Sequence, residues 1–182
     1  MSDFNHKHLE SVLRHIELVQ SATQLLGKRL IESGEQEFGL SLIANGLKHD
    51  QSKFKGIEWD FLVVVTPDDE TPEAKAKRED LLAIAWRQHV ETNEHHPEYW
   101  GENGINEMPR IFVAEMVCDW YARSQEQATG LRSHIKEKSA KRFGMSLKGK
   151  TYKQVKLFVD MLLDPEFKPI KPVTPEPPKE TT

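Results

Sequence analysis

The sequence predicts an all-α fold, a single-domain helical bundle of about six to seven helices. Apolar residues recur at intervals of three and four along most of its 182 residues. The one strand-like run, at residues 63–65, has no evident partner strand. A chain of this length is also expected to form one compact domain with a substantial hydrophobic core.

The first half of the chain is expected to contain four helices. Apolar spacing predicts a helix over residues 9–31, which Gly34 ends, and a second over residues 36–48. Ser52 is a candidate N-cap for a short third helix, after which residues 63–65 could instead form a strand. Beyond an acidic loop at residues 66–72, Pro72 is placed to begin a fourth helix that reaches about residue 93.

The second half is expected to begin with a surface loop, because residues 94–109 hold two prolines and two glycines. Helices are predicted over residues 110–127, 131–143 and 152–163. Residues 165–178 contain six prolines among charges and threonines. We therefore expect a helical domain over residues 1–164 and a disordered, proline-rich tail over residues 165–182.

The composition argues against several classes of function. The formal net charge of -4 gives no basic footprint, so general nucleic-acid binding is not expected. The single cysteine, Cys118, excludes an intramolecular disulfide and fits a reducing compartment. No apolar run approaches the roughly 20 residues that cross a bilayer, and the first residues lack a signal-peptide pattern. We expect a cytoplasmic protein, either a monomer or a homo-oligomer.

Histidines and carboxylates on separate predicted helices are the most informative residues. They are, in chain order, His15, His49, Asp50, His96 and Asp119, with His89 as a sixth candidate. Imidazoles and carboxylates bind divalent metals through nitrogen and oxygen. Most of these side chains lie where the helical pattern points inward, and buried ionisable groups are costly unless they are paired or metal-bound. The set predicts a helical metalloprotein.

The first three of these residues also have ordinary structural explanations. His15 shares a helical face with Val12 and Val19 and so points toward the core, where it could bond a carbonyl. His49 and Asp50 end the second predicted helix, where the backbone can turn both side chains toward one point. Alternatively, the histidine lies at the surface and the doublet only marks the end of the helix.

Two carboxylates project from one side of the fifth predicted helix, because Glu115 precedes Asp119 by one turn. Inward carboxylates demand a cation, which is either a metal or a basic side chain. The alternative to a metal is a structural salt bridge with Arg14, Lys53 or Arg87.

The region between residues 89 and 100 is the most unusual local sequence. His95 and His96 are adjacent and cannot point the same way from a regular backbone, so only one is expected to reach the interior. Pro97 restricts the preceding residue to extended shapes. Tyr99 and Trp100 could wall a pocket or stack on a nucleobase, or they could form a packed aromatic clamp.

These sites together resemble the HD-domain superfamily of metal-dependent phosphohydrolases. That superfamily places a histidine on an early helix, a His-Asp doublet at the end of a later helix and a final aspartate farther on. The matching positions are His15, His49, Asp50 and Asp119, and their separations of 34 and 69 residues resemble those of the small nucleotidases. More narrowly, the segments HDQSKF, HHPEYW and EMVCDW at residues 49–54, 95–100 and 115–120 look like a family of uncharacterised bacterial and phage proteins.

The resemblance implies an all-helical fold that holds a divalent transition metal, such as manganese, iron, cobalt, nickel or zinc, as one or two ions. The implied ligands are His15, His49, Asp50 and Asp119. His89 and His96 resemble the additional ligands of two-metal branches, which include cyclic-nucleotide phosphodiesterases and diiron oxygenases. The chain also departs from the small nucleotidases, which carry an acidic catalytic residue soon after the His-Asp doublet. Lys53 stands at that place here, and Glu58 follows a turn or more later.

The leading hypothesis is a metal-dependent phosphohydrolase acting on a nucleotide or a related small phosphate ester. Metal coordination lowers the pKa of bound water toward ~7 and polarises the phosphoryl group. Lys53 is the candidate point charge on the phosphate. Glu115 is expected to take a proton from the attacking water or to orient a metal-bound histidine. Tyr99 and Trp100 are the candidate contacts to the base.

The sequence leaves two other functions open. One is a dinuclear iron oxygenase on the same scaffold, with His89 and His96 as additional ligands, because imidazole and carboxylate suit iron, manganese and zinc alike. The other is a non-catalytic interaction protein stabilised by a structural metal or by a buried polar network. An open coordination position distinguishes catalytic from structural zinc sites, and sequence does not reveal one.

Overall fold

The computed structural model describes residues 6–63 and 70–165, and within them every regular element is helical, so the predicted all-α class is confirmed. The helices are α1 His6–Glu32, α2 Gln36–Gly46, α3 Gly56–Val63, α4 Pro72–Thr92, α5 Gly104–Glu107, α6 Arg110–Glu126, α7 Leu131–His134, α8 Ala140–Arg142 and α9 Lys150–Leu163. Single 3₁₀ turns cover Gln51–Phe54 and Pro97–Trp100, and a π-helical turn over Ile135–Ser139 joins α7 to α8. The short α5 lies in the segment predicted as a loop.

The start of α3 differs from the sequence prediction. Ser52 is not its N-cap, because the serine lies inside the 3₁₀ turn and α3 begins only at Gly56. Instead of capping a helix, the Ser52 hydroxyl accepts a hydrogen bond of 2.9 Å from Asn93 Nδ2. This bond ties the segment after the His-Asp doublet to the end of α4.

The start of α4 follows the prediction. Pro72 is the first helical residue, and Thr71 caps the helix by accepting a 3.2 Å hydrogen bond from the backbone N–H of Ala74. Proline suits this position because its missing N–H would have no partner inside the helix. Residues 64–65 of the alternative strand and residues 166–182 of the predicted tail lie outside the described residues. No described helix has both the length and the apolar character needed to cross a membrane.

A close crossing of α1 and α2 brings the end of α2 into the interior. Gly34 allows the chain to reverse between them, with a φ of 94° that only glycine adopts readily. The two helices touch at Gly27 and Gly39, where a Cβ on the second glycine would lie 2.5 Å from the carbonyl oxygen of the first. The absence of side chains at this crossing lets α2 run close to α1 and carry the His-Asp doublet inward.

Helix α6 runs through the centre of the bundle and packs against α1, α2, α7 and α9. Its apolar residues Val113 and Val117 are fully buried in the core with Leu26, Leu42 and Phe158. Burying such side chains contributes about 1.5–3 kcal/mol each to folding. Because α6 is surrounded by other helices, the carboxylates on its polar side also lie in the interior.

The crossing of α1 and α2 gives a prediction about stability. Gly39→Ala is expected to lower the free energy of unfolding by ~1–3 kcal/mol, because the new methyl group would collide with backbone that cannot move independently. In an open helix the same change would raise stability by up to ~1 kcal/mol. Urea denaturation followed by circular dichroism measures the difference.

Ser41→Ala is the matched control, because this residue is exposed on the same helix. Its effect should stay within ~0.5 kcal/mol of the wild type. An increase in stability for Gly39→Ala would contradict the close crossing.

Candidate metal centre

His15 and Asp119 meet between the first and sixth helices. His15 lies on α1 with only 2 % of its surface exposed, as its apolar helical face predicts. Its Nε2 atom is 3.0 Å from Oδ1 of Asp119 on α6. The two outermost members of the predicted ligand set, separated by most of the domain in sequence, are therefore in direct contact.

The end of α2 turns His49 and Asp50 toward the same interior point. Both residues are buried, and His49 Nε2 lies 3.7 Å from Asp50 Oδ2. Asp50 has a left-handed backbone conformation, with φ 56° and ψ 21°. Among residues other than glycine, aspartate is one of the few types enriched in this conformation. The turn explains how two adjacent residues reach one site, as the sequence analysis expects for a helix end.

Three further histidines approach the same carboxylate. His89 lies in the last turn of α4, and His95 and His96 follow in the turn before the Pro97–Trp100 helix. His89 Nε2 and His95 Nε2 lie 3.4 Å and 3.6 Å from Oδ1 of Asp50. His96 Nε2 is 3.1 Å from His89 Nε2. Both additional ligand candidates from the sequence, His89 and His96, are thus at the centre.

Both His95 and His96 reach the centre, where only one was expected, although only His95 is fully buried. Their ring centroids are 4.3 Å apart, and His95, which the sequence analysis left out of the ligand set, is 4 % exposed. His96 is itself extended, with φ −93° and ψ 131°, as expected of the residue before Pro97. The residues just before it form a turn, in which the His96 N–H donates a 3.0 Å hydrogen bond to the carbonyl of Asn93. Adjacent side chains diverge in a strand but can converge in such a turn.

Three of the histidines have a carboxylate near the ring nitrogen that faces away from the centre. Nδ1 of His89 and Nδ1 of His49 form hydrogen bonds with Glu58 at 2.8 Å and with Glu115 at 3.1 Å. Nδ1 of His15 lies 3.3 Å from Glu126, without the geometry of a hydrogen bond. Metal-bound histidines in proteins almost always have such a partner, which fixes the ring orientation and the tautomer. This pattern is the one expected of a metal centre.

Several buried polar atoms at the centre have no hydrogen-bond partner in the described part of the chain. They are Nε2 of His15, Nε2 of His49, Oδ1 of Asp50 and Oδ1 of Asp119. Buried polar side-chain atoms usually have a partner, so each exception needs an explanation. These four atoms face one another, which indicates a shared ligand that binds nitrogen and oxygen.

The two carboxylates are held in their charged form. Burial raises the pKa of Asp50, but the nearby imidazoles and Lys53 lower it further, to well below the usual range for aspartate. Burial likewise raises the pKa of Asp119, and contact with His15 together with the charge of His49 holds it far below the usual range. Both side chains are therefore anionic at neutral pH, as metal ligands must be.

The histidines at the centre differ in protonation. Burial and the neighbouring His49 lower the pKa of His95 to about 4, and burial and the adjacent His95 lower that of His96 to about 3. Burial also lowers the pKa of His89, although Asp50 opposes it. For His49, burial lowers the pKa, but the hydrogen bond that it donates to Glu115 and the surrounding carboxylates outweigh burial, so its pKa is raised. Most of these imidazoles are neutral and able to donate to a metal at neutral pH.

The donor atoms fall into groups compact enough to hold a metal ion, and two of these groups share Asp50. One contains His15, His49 and Asp50, and the other contains Asp50, His89, His95 and His96, with the donor atoms of each group within 4.8 Å of one another. Asp119 joins the first group through its contact with His15. The buried clusters can hold a metal ion, as the sequence predicts.

A cavity of about 410 Å³ opens onto this centre. His95, His96 and Asp119 form part of its lining. The rest of the lining includes the aromatic residues Trp86, Trp120 and Phe143 and the basic residues Arg123, His134, Lys138 and Arg142. Its volume falls in the range of pockets that bind small molecules. The centre is thus accessible to a small molecule with an apolar part and an anionic part.

The predicted substrate-binding residues Lys53, Tyr99 and Trp100 do not line this cavity. Lys53 contacts the centre directly, with Nζ 3.5 Å from Asp50 Oδ2 and 3.4 Å from His89 Nε2, but it lines a smaller cavity of about 140 Å³ on the α4 side. Tyr99 and Trp100 line none of the described cavities that contain a metal-ligand candidate. Trp100 Nε1 donates a 2.9 Å hydrogen bond to a backbone carbonyl, and its ring packs against Phe112. The packing of Trp100 matches the alternative of a packed aromatic clamp, whereas Tyr99 is exposed.

Three carboxylates, Glu58, Glu115 and Glu126, lie behind the ligand histidines. Glu115, the candidate catalytic carboxylate, bonds His49 and lies 3.5 Å from Nδ1 of His95, so it orients histidines and makes no salt bridge with the basic side chains considered in the sequence. The position of Glu126 near the centre could have been predicted from the sequence, because Glu126 lies seven residues after Asp119 on the same helical face. The role of Glu58 depends on how α3 packs against α4, which periodicity does not reveal.

Protonation of His49 gives a prediction about metal affinity. A metal needs the neutral imidazole, and the raised pKa of this group keeps it protonated to a higher pH than usual. Zinc affinity is therefore expected to fall with decreasing pH, by up to ~10-fold for each unit below that pKa. Calorimetric titration in buffers of different ionisation enthalpy measures both the affinity and the protons released.

Glu115→Gln provides the comparison. Without this carboxylate, protonated His49 is less favoured, so the fall in affinity should move to lower pH. Zinc binding should also weaken by ~10–100-fold, because the carboxylate no longer orients the imidazole. Affinity that is constant between about pH 6 and pH 8 in the wild type would contradict this assignment.

Comparison with known proteins identifies a family but not an activity. The match is to a family of unknown function, DUF5662, and it extends over residues 4–165. No curated protein and no solved structure matches the chain. The matched range contains all of the metal-ligand candidates. The chain is a member of the DUF5662 family of unknown function.

Proposed function

We propose that the protein is a metal-dependent phosphohydrolase that acts on a nucleotide or a related small phosphate ester. The observation that carries the proposal is the convergence of five imidazole Nε2 atoms on two anionic carboxylates beside an open cavity with basic and aromatic walls. The resemblance of the ligand order to the HD-domain superfamily supports the same chemistry.

The orientation of the imidazoles favours a metal over a polar core. Where a carboxylate accepts from Nδ1, the proton lies on that nitrogen and Nε2 presents a lone pair. In His89 this lone pair faces Oδ1 of Asp50 at 3.4 Å, because Glu58 accepts from Nδ1 at 2.8 Å. Two facing lone pairs repel each other in a buried site unless a cation lies between them. A divalent ion between these atoms would remove this repulsion.

The arrangement suits two ions that share one carboxylate. His15, His49 and Asp119 would hold one ion, His89, His95 and His96 the other, and Asp50 would bind both. Divalent ions of this kind supply Lewis acidity and lower the pKa of bound water toward ~7.

The remaining residues give the phosphate ester its position. Arg123 lines the cavity one turn beyond Asp119, within reach of an anionic group bound at the metal centre. Trp120 and Phe143 lie nearly parallel, with ring centroids 6.2 Å apart, and form an apolar wall for a base or another organic group. Lys53 contributes a positive charge beside Asp50 from the opposite cavity.

Two other functions of the centre have less support than hydrolysis. A dinuclear iron oxygenase would use the same ligands, and the three histidines around Asp50 suit iron. The basic lining of the cavity favours an anionic substrate, which hydrolysis of a phosphate ester requires and oxygenation does not. A purely structural metal would need no cavity beside its ligands.

Removal of a ligand should abolish turnover without unfolding the chain. Asp119→Ala is expected to reduce metal-dependent release of phosphate by at least ~100-fold, because the first ion loses a ligand and His15 loses its partner. Suitable substrates are p-nitrophenyl phosphate and a panel of nucleoside 5′-monophosphates. Far-UV circular dichroism checks that the helices remain.

Asp80→Ala is the control, since Asp80 is exposed on α4 and lies in none of the described metal-binding groups. It should retain the wild-type rate. Equal turnover in the two variants, or a wild type that releases no phosphate with any metal, would overturn the proposed function.

A further inference from the structure

Basic residues line the cavity on two separate walls. Arg123 lies on α6, next to the metal-ligand candidates. His134, Lys138 and Arg142 lie on the segment from α7 through the π-helical turn to α8, spaced by four residues. Residues at this spacing lie on one side of a helix. We call the side formed by these three residues the basic wall.

The basic wall retains positive charge after its ion pairs are considered. Arg142 forms a 3.0 Å ion pair with Glu98, and Arg123 on the other wall pairs with Glu126 at 3.1 Å. Lys138 forms no ion pair with any residue in the described part of the chain, and it lies at the cavity. An unpaired lysine beside two neutralised arginines leaves a local excess of positive charge.

The π-helical turn supplies a second observation. Residues Ile135–Ser139 form this turn, and both Lys138 and Ser139 line the cavity from it. A π-helical turn is rare, and it occurs frequently at functional sites because it changes the direction of side chains. The irregular backbone lies at the part of the segment that faces the cavity.

We propose that the cavity binds a phosphate ester that carries a second anionic group, and that the basic wall, with Lys138 at its centre, binds this second group. The proposal rests on the proposed function, in which the first phosphate binds at the metal centre. That phosphate would be bound at the ligands of the metal centre, whereas the basic wall belongs to a different segment. A substrate with one phosphate would leave Lys138 without an anionic partner in the cavity.

Binding of phosphonates tests the proposal without any turnover, because their carbon–phosphorus bond is not hydrolysed. The probes are propylphosphonate, propane-1,3-bisphosphonate and methylenebisphosphonate, and calorimetry measures their affinity for the metal-loaded protein. The two bisphosphonates distinguish a separated second anion from an adjacent one. In the wild type, at least one bisphosphonate should bind ~10-fold or more tightly than the monophosphonate.

Two lysine variants isolate the basic wall. Lys138→Ala should reduce the preference for the bisphosphonate to within ~3-fold, while binding of the monophosphonate changes little. Lys136→Ala removes the same charge from the same turn, but Lys136 does not line the cavity, so the preference should remain. Equal preference in the two variants, or no preference in the wild type, would overturn the proposal.

The failure of this proposal can be distinguished from the failure of the proposed function. Binding of the monophosphonate that requires the metal supports the function, whatever the lysine variants do. A preference for bisphosphonates that depends on Lys138 supports the basic wall. Metal-dependent binding of the monophosphonate without that preference would therefore reject the second anionic group alone.

Discussion

The structure depends on the buried carboxylate of Asp50. It is anionic, it is approached by His49, His89 and His95, and one of its oxygens has no hydrogen-bond partner among the described residues. A buried charge costs several kcal/mol unless a cation compensates it. Among the described residues, Lys53 is the basic side chain other than histidine that contacts it, and its ammonium is shared with an imidazole. A bound metal ion would supply the remaining charge and satisfy the unpaired oxygen at the same time.

The helical scaffold serves to bring this carboxylate to the other ligands. The side-chain-free crossing at Gly27 and Gly39 lets α2 end in the interior, and the left-handed turn at Asp50 directs the doublet toward α6. Helix α6 is surrounded by other helices, so Asp119 and the orienting Glu115 lie opposite that turn. The same helix continues to the cavity, which links the metal centre to the site where an anionic substrate would bind.

Site residues on regular helices could be predicted from the sequence better than those in turns. His15 and Asp119 could be assigned because each lies on a helix with a clear apolar period. The inward position of His95 could not, because it depends on a single turn whose shape periodicity does not describe. The sequence left two roles open for Trp100 for a similar reason, since its packing against Phe112 depends on the tertiary fold. The basic wall around Lys138 also becomes visible only when α7 and α8 are placed beside α6.

The metal content of the protein tests the central claim most directly. The chain should be purified without chelators or a metal-binding tag, and its divalent transition metals counted by elemental analysis. We expect about two ions per chain, with about one remaining in His89→Ala, because this histidine belongs to only one of the two ligand groups. A chain that holds no ion, even after reconstitution with manganese, iron, cobalt, nickel or zinc, would contradict the metal centre and leave these residues as a buried polar core.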